Sequence, residues 1–172
     1  ESHIVPLEGN FWEIGEGPCG PDSEMFYDTG KPACSPECNP SCDCGKYVEI
    51  GNDVYMQYVI QQKGGEAMPA AQRNVDTGMG LERLLCFVNG YQTVYDSEIF
   101  APAIEIVAND CKKSYMNNLK AFRVLVEHTR AATMILSDGV LPSPTGQGYV
   151  LRRLIRRAVR MANQLECSRD VY

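Results

Sequence analysis

The stretch "VDTGMGLER", residues 75–83, combines two glycines, two acids and an arginine at a point where a strand would run into a helix. In a strand, Asp76, Gly78 and Gly80 lie on one face, and the bulkier residues between them lie on the other. A face with so few side chains lets a ligand lie directly against the backbone, and the Asp76 carboxylate is able to hold a cationic group there. The spacing therefore predicts a ligand-binding face with one fixed negative charge.

The apolar spacing changes at Leu81, and from there to Val88 it follows the i, i+3, i+4, i+7 pattern of a helix. Arg83 then lies in the first helical turn, where the helix dipole favours anions. A bound phosphate would explain an arginine at that place, and so would an ion pair with Glu82 or another acid. No Gly-Lys-Ser/Thr and no G-x-G-x-x-G occurs, which argues against a P-loop and a dinucleotide fingerprint.

Four of the eight cysteines lie within eleven residues, in "CSPECNPSCDC" at 34–44. We expect no secretion signal, so a metal site is favoured over a disulfide framework. Four thiolates would close a structural zinc site and leave no open position for catalysis. The alternative is a reduced surface loop without metal, and the C-x3-C-x3-C-x-C spacing leaves both open. The candidate ligands are Cys34, Cys38, Cys42 and Cys44.

The net charge of −6 is unevenly distributed along the chain. Residues 1–108 carry 5 basic and 17 acidic residues, a net −12, whereas residues 109–172 carry 11 and 5, a net +6. This division predicts two domains with different tasks, of which the basic one could meet nucleic acid. The alternative is that each charged face is simply solvated. No apolar run reaches membrane-spanning length, and we expect a cytoplasmic location.

The element pattern predicts an α+β fold. Residues 46–62 are β-branched and aromatic, which favours a strand ending in the turn "QQKGGE". The run "GPCGP" at 17–21 predicts a tight loop, and Trp12 before it is by type a packing residue. We therefore expect an antiparallel sheet over about residues 10–80 with helix 81–89 packed on it, followed by a helical bundle from about residue 100.

Residues 150–165, "VLRRLIRRAVRMANQL", predict an amphipathic helix. One stripe is apolar, and the other holds five arginines within nine residues and no acid. Such a stripe is typical of phosphate binding, although the arginines could instead pair with the acidic domain. The five are Arg152, Arg153, Arg156, Arg157 and Arg160. His128 has no evident nucleophile partner, so we expect it to pack or to hydrogen-bond rather than to act as a base.

These segments resemble class II aminoacyl-tRNA synthetases in the form found in alanyl-tRNA synthetases. "VDTGMGLER" is similar to the family's motif 3. The other matching segments follow in the family's order: "NFWEIGEGPCGP", "YVEIGNDVYMQY", "YDSEIF", "RVLVEHTRAATMILSDGVLPS" and "GYVLRRLIRRAVR". The resemblance covers nearly the whole chain apart from the cysteine insert at about 29–45.

The resemblance implies activation of alanine by ATP with Mg²⁺, and then transfer of alanine to the 3′ end of its tRNA. The arginine stripe would contact the tRNA acceptor stem. Arg83 matches the residue that contacts the terminal phosphate of ATP and would be the catalytic residue, Gly80 lies where the adenine site forms, and Glu49 matches a carboxylate near the magnesium. Asp76 matches the acid that receives the alanine ammonium group. The implied alanine-binding residues are Trp12, Val54, Asp76 and Gly78.

The chain departs from the family pattern at Asp22, Gly51 and Pro144, where the family has Cys, Trp and Asn. Motifs 1 and 2 and the editing domain are missing from the sequence, so we expect a fragment that is inactive alone. Residues 1–108 would be the later part of the catalytic domain and residues 109–172 the start of the helical tRNA-recognition region. We also expect an open sheet edge that could self-associate. The alternative function is a non-catalytic nucleic-acid or protein binding module derived from the synthetase fold.

Overall fold

A computed structural model of the chain describes residues 3–168 and divides into two compact units, with the boundary between Phe87 and Val88. The first unit holds a four-stranded sheet and most of one helix, and the second is helical. The predicted α+β class is confirmed. The assignment of tasks to residues 1–108 and 109–172 stays a prediction, and the outermost ends of those ranges, 1–2 and 169–172, lie outside the described residues.

The sheet is a simple antiparallel meander in the order β1-β2-β3-β4. Its strands are β1 (Phe11–Glu13), β2 (Gly17–Asp28), β3 (Tyr47–Ile60) and β4 (Ala67–Met79). The strand predicted over 46–62 is confirmed as β3. The turn predicted after it is also confirmed, since the Gly65 N–H donates to the Gln62 carbonyl at 2.8 Å.

The tight loop predicted at residues 17–21 is wrong, because these residues begin β2. A β-bulge between Cys19 and Asp22 leaves Gly20 and Pro21 without paired residues on β3, so the missing N–H of Pro21 costs no ladder hydrogen bond there. Gly20 is needed because a Cβ at this position would collide with the Tyr55 carbonyl oxygen. Pairing with the neighbouring strands thus determines the conformation of this segment, although its residue types taken alone favour a turn.

The first helix begins where the apolar spacing predicts. The helices are α1 (Leu81–Val88), α2 (Ala101–Cys111), α3 (Leu119–Ser137) and α4 (Gly146–Leu165), with a short 3-10 helix at Val94–Asp96. The Leu84 N–H donates to the Gly80 carbonyl at 2.8 Å, which makes Gly80 the residue that caps α1. Phe87 stacks on Tyr27 of β2 with ring centroids 4.1 Å apart, so α1 packs on the sheet.

The helical unit contains the larger apolar core. Its buried side chains come from the helices and from the turn before α2: Phe100, Ile104, Val107, Ala121, Phe122, Leu125, Val126, Ala158, Ala162 and Leu165. The predicted apolar stripe of α4 faces inward, with Leu151 and Ala158 buried and its other members half-buried. Among residues 3–168, no helix has both the length and the apolar character that crossing a membrane requires.

Gly51 of β3 is a buried glycine with no room for a side chain. A Cβ there would lie 2.6 Å from the Gly78 carbonyl oxygen and 2.9 Å from Cγ of Met79. We predict that Gly51→Ala lowers the free energy of unfolding by about 1–3 kcal/mol, because the strands must move apart. Urea unfolding of the variant measures this.

The matched control is Gly78→Ala on the adjacent strand, where a Cβ would meet only Oδ1 of Asn52 at 3.5 Å, an ordinary contact. We expect its unfolding free energy to stay within about 0.5 kcal/mol of the parent chain. Equal losses in the two variants would contradict the close packing at Gly51.

Candidate functional site

One face of the sheet brings together the predicted ligand residues of β3 and β4. Val54 pairs directly with Asp76, and Asn52 pairs with Gly78. Because paired residues share a face, as do residues two apart in one strand, these four positions form a continuous patch. On its other side Val54 pairs with Asp22 of β2. Three of the four predicted alanine-binding residues therefore lie next to one another.

Trp12 lies on the same face but farther from Asp76. It pairs with Gly20, which is two residues from Asp22 in β2. With about 4.8 Å between neighbouring strands, the backbones of β1 and β4 are about 14 Å apart. The Trp12 side chain is half-buried, and its Nε1 is buried with no hydrogen-bond partner among residues 3–168. Trp12 therefore packs, as its type predicts, and also keeps a hydrogen-bond donor unused.

The Asp76 carboxylate stands at the exposed edge of this face. Its Oδ1 accepts the Thr77 backbone N–H at 2.9 Å, and the Thr77 hydroxyl donates to the Asn52 carbonyl at 3.2 Å. Gly78 places only backbone beside the acid. A small ammonium compound could therefore approach Asp76 without meeting a side chain at Gly78.

A β-bulge turns Glu49 onto the face that carries Asp76. Gly51 pairs with Met25 of β2, whereas Glu49 pairs with Phe26, the next residue. The residue between them, Ile50, is the extra one of the bulge, so the alternation reverses and Glu49 points to the opposite side from Gly51. Without the bulge, simple alternation would have placed Glu49 on the face opposite Asp76.

Arg83 reaches across from α1 to this glutamate. Its Nη1 donates to Oε2 and to the backbone oxygen of Glu49, each at 2.9 Å. The Gly80 N–H donates to the carbonyl of Ile50 at 3.0 Å, which ties the start of α1 to the bulge. Since the two side chains are 48% and 35% exposed, an ion pair of this kind adds only about 0–1 kcal/mol of stability. Its main effect is to hold the guanidinium at the end of the bare face.

The sequence did not identify which acid pairs with Arg83, and the structure shows that it is Glu49. The predicted phosphate contact of Arg83 stays a prediction.

Glu24 of β2 is a site residue that the sequence reasoning missed. It pairs with Asn52 and lies two residues from Asp22, so it faces the same side. Burial, and then the negative charges of Glu49 and Asp22, raise the pKa of the Glu24 carboxyl. A carboxyl group next to other carboxylates is a natural ligand for a divalent cation. The alternation in "DSEMF" at 22–26 was the available signal.

A cavity of about 270 Å³ opens beside the Glu49–Arg83 pair. Its walls come from strands, from α1 and from the segment that joins β2 to β3, residues 29–46, here named the cysteine loop. The lining residues are Phe26, Pro40, Cys42, Asp43, Gly45, Tyr47, Val48, Glu49 and Arg83. A larger cavity of about 500 Å³, between Pro18 and Asn74, contains none of the predicted site residues.

The cysteine loop brings three of the four predicted metal ligands together. The sulfurs of Cys34, Cys38 and Cys44 all lie within 4.8 Å of one another, and Sγ of Cys38 is 3.7 Å from Sγ of Cys44. Sulfurs around a tetrahedral zinc ion, with Zn–S near 2.3 Å, lie about 3.8 Å apart, whereas a disulfide needs about 2.05 Å. The separation thus fits metal ligands and not a disulfide.

The fourth cysteine, Cys42, lies outside this group of three but interacts with it. Hydrogen bonds with Cys38 and Cys44, then burial and a hydrogen bond with Cys42, raise the pKa of the Cys34 thiol to about 12. Crowded thiols resist ionisation until a cation compensates the charge.

The five predicted tRNA-binding arginines all lie exposed on α4. Arg152, Arg156 and Arg160 follow at i, i+4 and i+8, about 6 Å apart along the helix axis. Arg153 lies over the Tyr149 ring, 5.8 Å from its centroid. None of the ion pairs found within residues 3–168 involves these five arginines. The helix therefore presents several positive charges at regular spacing to solvent.

The comparisons with known proteins agree on one family. The sequence model of the family described as "tRNA synthetases class II (A)" matches residues 1–172. The protein named "Alanine--tRNA ligase" from Treponema pallidum (strain Nichols) is 49% identical over 170 residues, which cover 95% of this chain. Its namesakes from Borrelia hermsii (strain HS1 / DAH) and Clostridioides difficile (strain 630) are 47% and 44% identical over 92% and 93% of the chain. The matched region spans 28%, 28% and 19% of these relatives.

The environment of His128 in α3 predicts how the stability of the helical unit depends on pH. Both ring nitrogens are buried without a hydrogen-bond partner among residues 3–168. Burial, and then the positive charge of Arg157, lower the pKa of His128 below 6.5, while Glu127 acts in the opposite direction. Because the unfolded state then binds the proton more tightly, the chain loses stability as the pH falls from 6.5 through the folded-state pKa.

An NMR titration of the His128 ring should therefore give a pKa below 6.5. Arg157→Gln should raise this pKa without removing the larger effect of burial, whereas Arg153→Gln, which removes a different arginine of the same helix, should leave the pKa unchanged. A pKa at or above 6.5 in the parent chain would show that the ring is solvated.

Proposed function

We propose that this chain, which belongs to the class II (A) tRNA synthetases, forms part of an alanine–tRNA ligase that joins alanine to its tRNA at the expense of ATP. One observation carries the proposal: Asp76, Gly78 and Val54 adjoin on a bare face that leads to the Glu49–Arg83 pair. Two curated relatives with this name match 95% and 92% of the chain. Because the chain spans less than a third of their length, the activity is proposed for the natural protein that contains these residues.

Alanine would bind at the patch around Asp76. The carboxylate offers a charge-assisted hydrogen bond to the amino group of the substrate. Gly78 leaves room for a small amino acid, and the Val54 side chain next to it offers an apolar contact for a methyl group. Trp12 would close the face from the side of β1, with its unused Nε1 donor available to the substrate.

ATP would extend from this patch toward α1. Arg83 lies in the first turn of the helix beside Gly80, so the guanidinium and the backbone N–H groups present positive charge to the terminal phosphate. Glu49 and Glu24 would hold Mg²⁺, and burial, followed by the negative charge of Glu49, already raises the pKa of Glu24. Bound Mg²⁺ neutralises phosphate charge.

The chemistry proposed is displacement at the α-phosphorus. The alanine carboxylate attacks, pyrophosphate leaves, and alanyl-adenylate forms without a covalent intermediate on the protein. The residues described here orient the two substrates and compensate charge, which is how positioning lowers such barriers. A ribose hydroxyl at the tRNA 3′ end then attacks the alanyl carbonyl carbon, an ester bond to the tRNA forms, and AMP and a proton leave.

The exposed arginines of α4 would bind the phosphates of the tRNA acceptor stem. Their regular spacing, together with the net +6 of residues 109–172, supports this. A protein with this task works in the cytoplasm, and we propose that location. We further propose self-association along β4, which is the last strand of the sheet and exposed over nearly its whole length.

We also propose that the cysteine loop binds one structural zinc ion. Cys34, Cys38 and Cys44 would supply three thiolates, and Cys42 the fourth. With four sulfur ligands the ion has no open position, so its effect is on folding of the loop.

The alternative of a non-catalytic binding module is not favoured. The names of the matched relatives point to the ligase. In addition, a module that only binds nucleic acid has no need for Asp76 and Gly78 beside an arginine at a helix start.

Alanine-dependent exchange between ATP and pyrophosphate tests the proposal on the natural protein. We predict that Asp76→Asn raises the KM for alanine by about ten- to a hundred-fold, since a hydrogen bond to a charged group contributes about 1.5–3 kcal/mol. Gly78→Ala should raise the same KM while the fold stays as stable as the parent. The KM for ATP should change little in both.

Asp53→Asn is the matched control, because Asp53 pairs with Thr77 and points to the opposite face of the same strand pair. It should behave as the parent. Absence of exchange in a correctly folded natural protein, or equal effects at Asp53 and Asp76, would refute the assignment of the alanine site.

The tRNA contact is tested by the salt dependence of binding to alanine tRNA. We predict that Arg152→Gln with Arg156→Gln lowers the slope of log affinity against log salt concentration by about one per arginine removed. Lys112→Gln with Lys120→Gln, two exposed lysines outside the stripe, should leave the slope unchanged. The proposal is wrong if both pairs change the slope equally or neither does.

A further inference from the structure

The cysteine loop is long and is not held by burial. It runs over residues 29–46 with no helix or strand, and none of its side chains is buried. Structureless segments of this length are uncommon in compact units and usually serve a function. Another interaction must therefore hold its conformation.

Hydrogen bonds order the base of the loop. The Thr29 N–H and its hydroxyl both donate to the Lys46 carbonyl, at 2.8 and 2.9 Å. Lys46 Nζ pairs with the Asp28 carboxylate at 3.0 Å and donates to the Lys31 carbonyl at 3.2 Å. These contacts close the two ends of the loop and leave residues 32–44 to other interactions.

Two tight turns order the tip. The Cys38 N–H donates to the Ser35 carbonyl at 3.1 Å, and the Cys42 N–H donates to the Asn39 carbonyl at 3.0 Å. Each turn thus ends at a cysteine: the first at Cys38, one of the three clustered thiols, and the second at Cys42, which lies next to them. Within the tip, the cysteine thiols are the side chains that lie close enough together to bind a single metal ion.

The same tip forms a wall of the cavity beside Arg83. Pro40, Cys42 and Asp43 lie on one side of it, and Glu49 and Arg83 lie on another. Cys42 belongs to both features, since its thiol interacts with Cys34 and its side chain lines the cavity. Any change in the position of the tip therefore changes the shape of the space in front of the guanidinium.

We propose that a zinc ion on the cysteine loop sets the affinity of the nucleotide site, because the metal-held tip is a wall of the cavity that receives the ATP phosphates. This rests on the proposed function, which assigns phosphates to Arg83. Loss of the metal leaves the tip without a crosslink and opens the cavity to water. Phosphate binding weakens as a result, whereas the alanine patch, which lies on the bare face around Asp76, keeps its geometry.

The test uses the complete natural protein and two measurements: the dissociation constant for ATP in the presence of Mg²⁺ by calorimetry, and the separate KM values for ATP and alanine in pyrophosphate exchange. Cys38→Ser with Cys44→Ser should contain about one zinc ion fewer per chain than the parent. Its dissociation constant and KM for ATP should rise about ten-fold, and its KM for alanine should change less than about two-fold.

Cys111→Ser is the matched control, because Cys111 is a free, half-buried cysteine in the helical unit. It should keep the zinc content and the affinity for ATP of the parent. A second variant, in which a Gly-Ser linker replaces residues 32–44, needs no metal to fold. It should show the same loss of ATP affinity and no response to added zinc.

Two results would overturn the inference: a double variant with the zinc content of the parent, or a zinc-depleted variant that binds ATP as tightly as the parent. Failure of the proposed function is distinguishable, because the folded, zinc-loaded parent would then show neither ATP binding nor exchange.

Discussion

The candidate site depends on the register of β3 against its two neighbours. Pairing of Val54 with Asp76 places the acid beside a small apolar contact. The bulge at Ile50 then turns Glu49 onto the same face, and the Ile50 carbonyl accepts the N–H of Gly80, which starts α1. A slip of β3 by one residue would turn Val54 and Glu49 to the face opposite Asp76. The close approach of Gly51 to Gly78 leaves little space for such a slip.

Local sequence patterns predicted the elements better than the contacts between them. The alternation of residues 75–80 and the helical spacing from Leu81 are local, and the structure confirms both. The segment at 17–21 was mispredicted because a bulge in the pairing with β3, not its own glycines and prolines, decides its conformation. Glu24 was missed for the same reason, since its membership of the site depends on pairing with Asn52.

The distances between side chains also could not be predicted from the sequence. The cysteine spacing indicated a metal site but not that Cys42 would stand apart from the other three thiols and line a cavity with Arg83. The family resemblance supplied roles for Asp76 and Arg83, and the register explains physically how these residues lie on one continuous surface. The sheet unit carries the proposed sites for alanine and ATP, and the exposed arginines of α4 in the helical unit carry the proposed tRNA contact.

The central claim is that the bare face from Asp76 to Arg83 binds alanine and ATP together. A crystal structure of the natural protein with a non-hydrolysable alanyl-adenylate analogue tests this most directly. We predict that the ammonium group lies within hydrogen-bond distance of the Asp76 carboxylate and that the nucleotide extends along the face toward Arg83. An analogue bound elsewhere, with Asp76 contacting only Thr77 and Arg83 only Glu49, would contradict it.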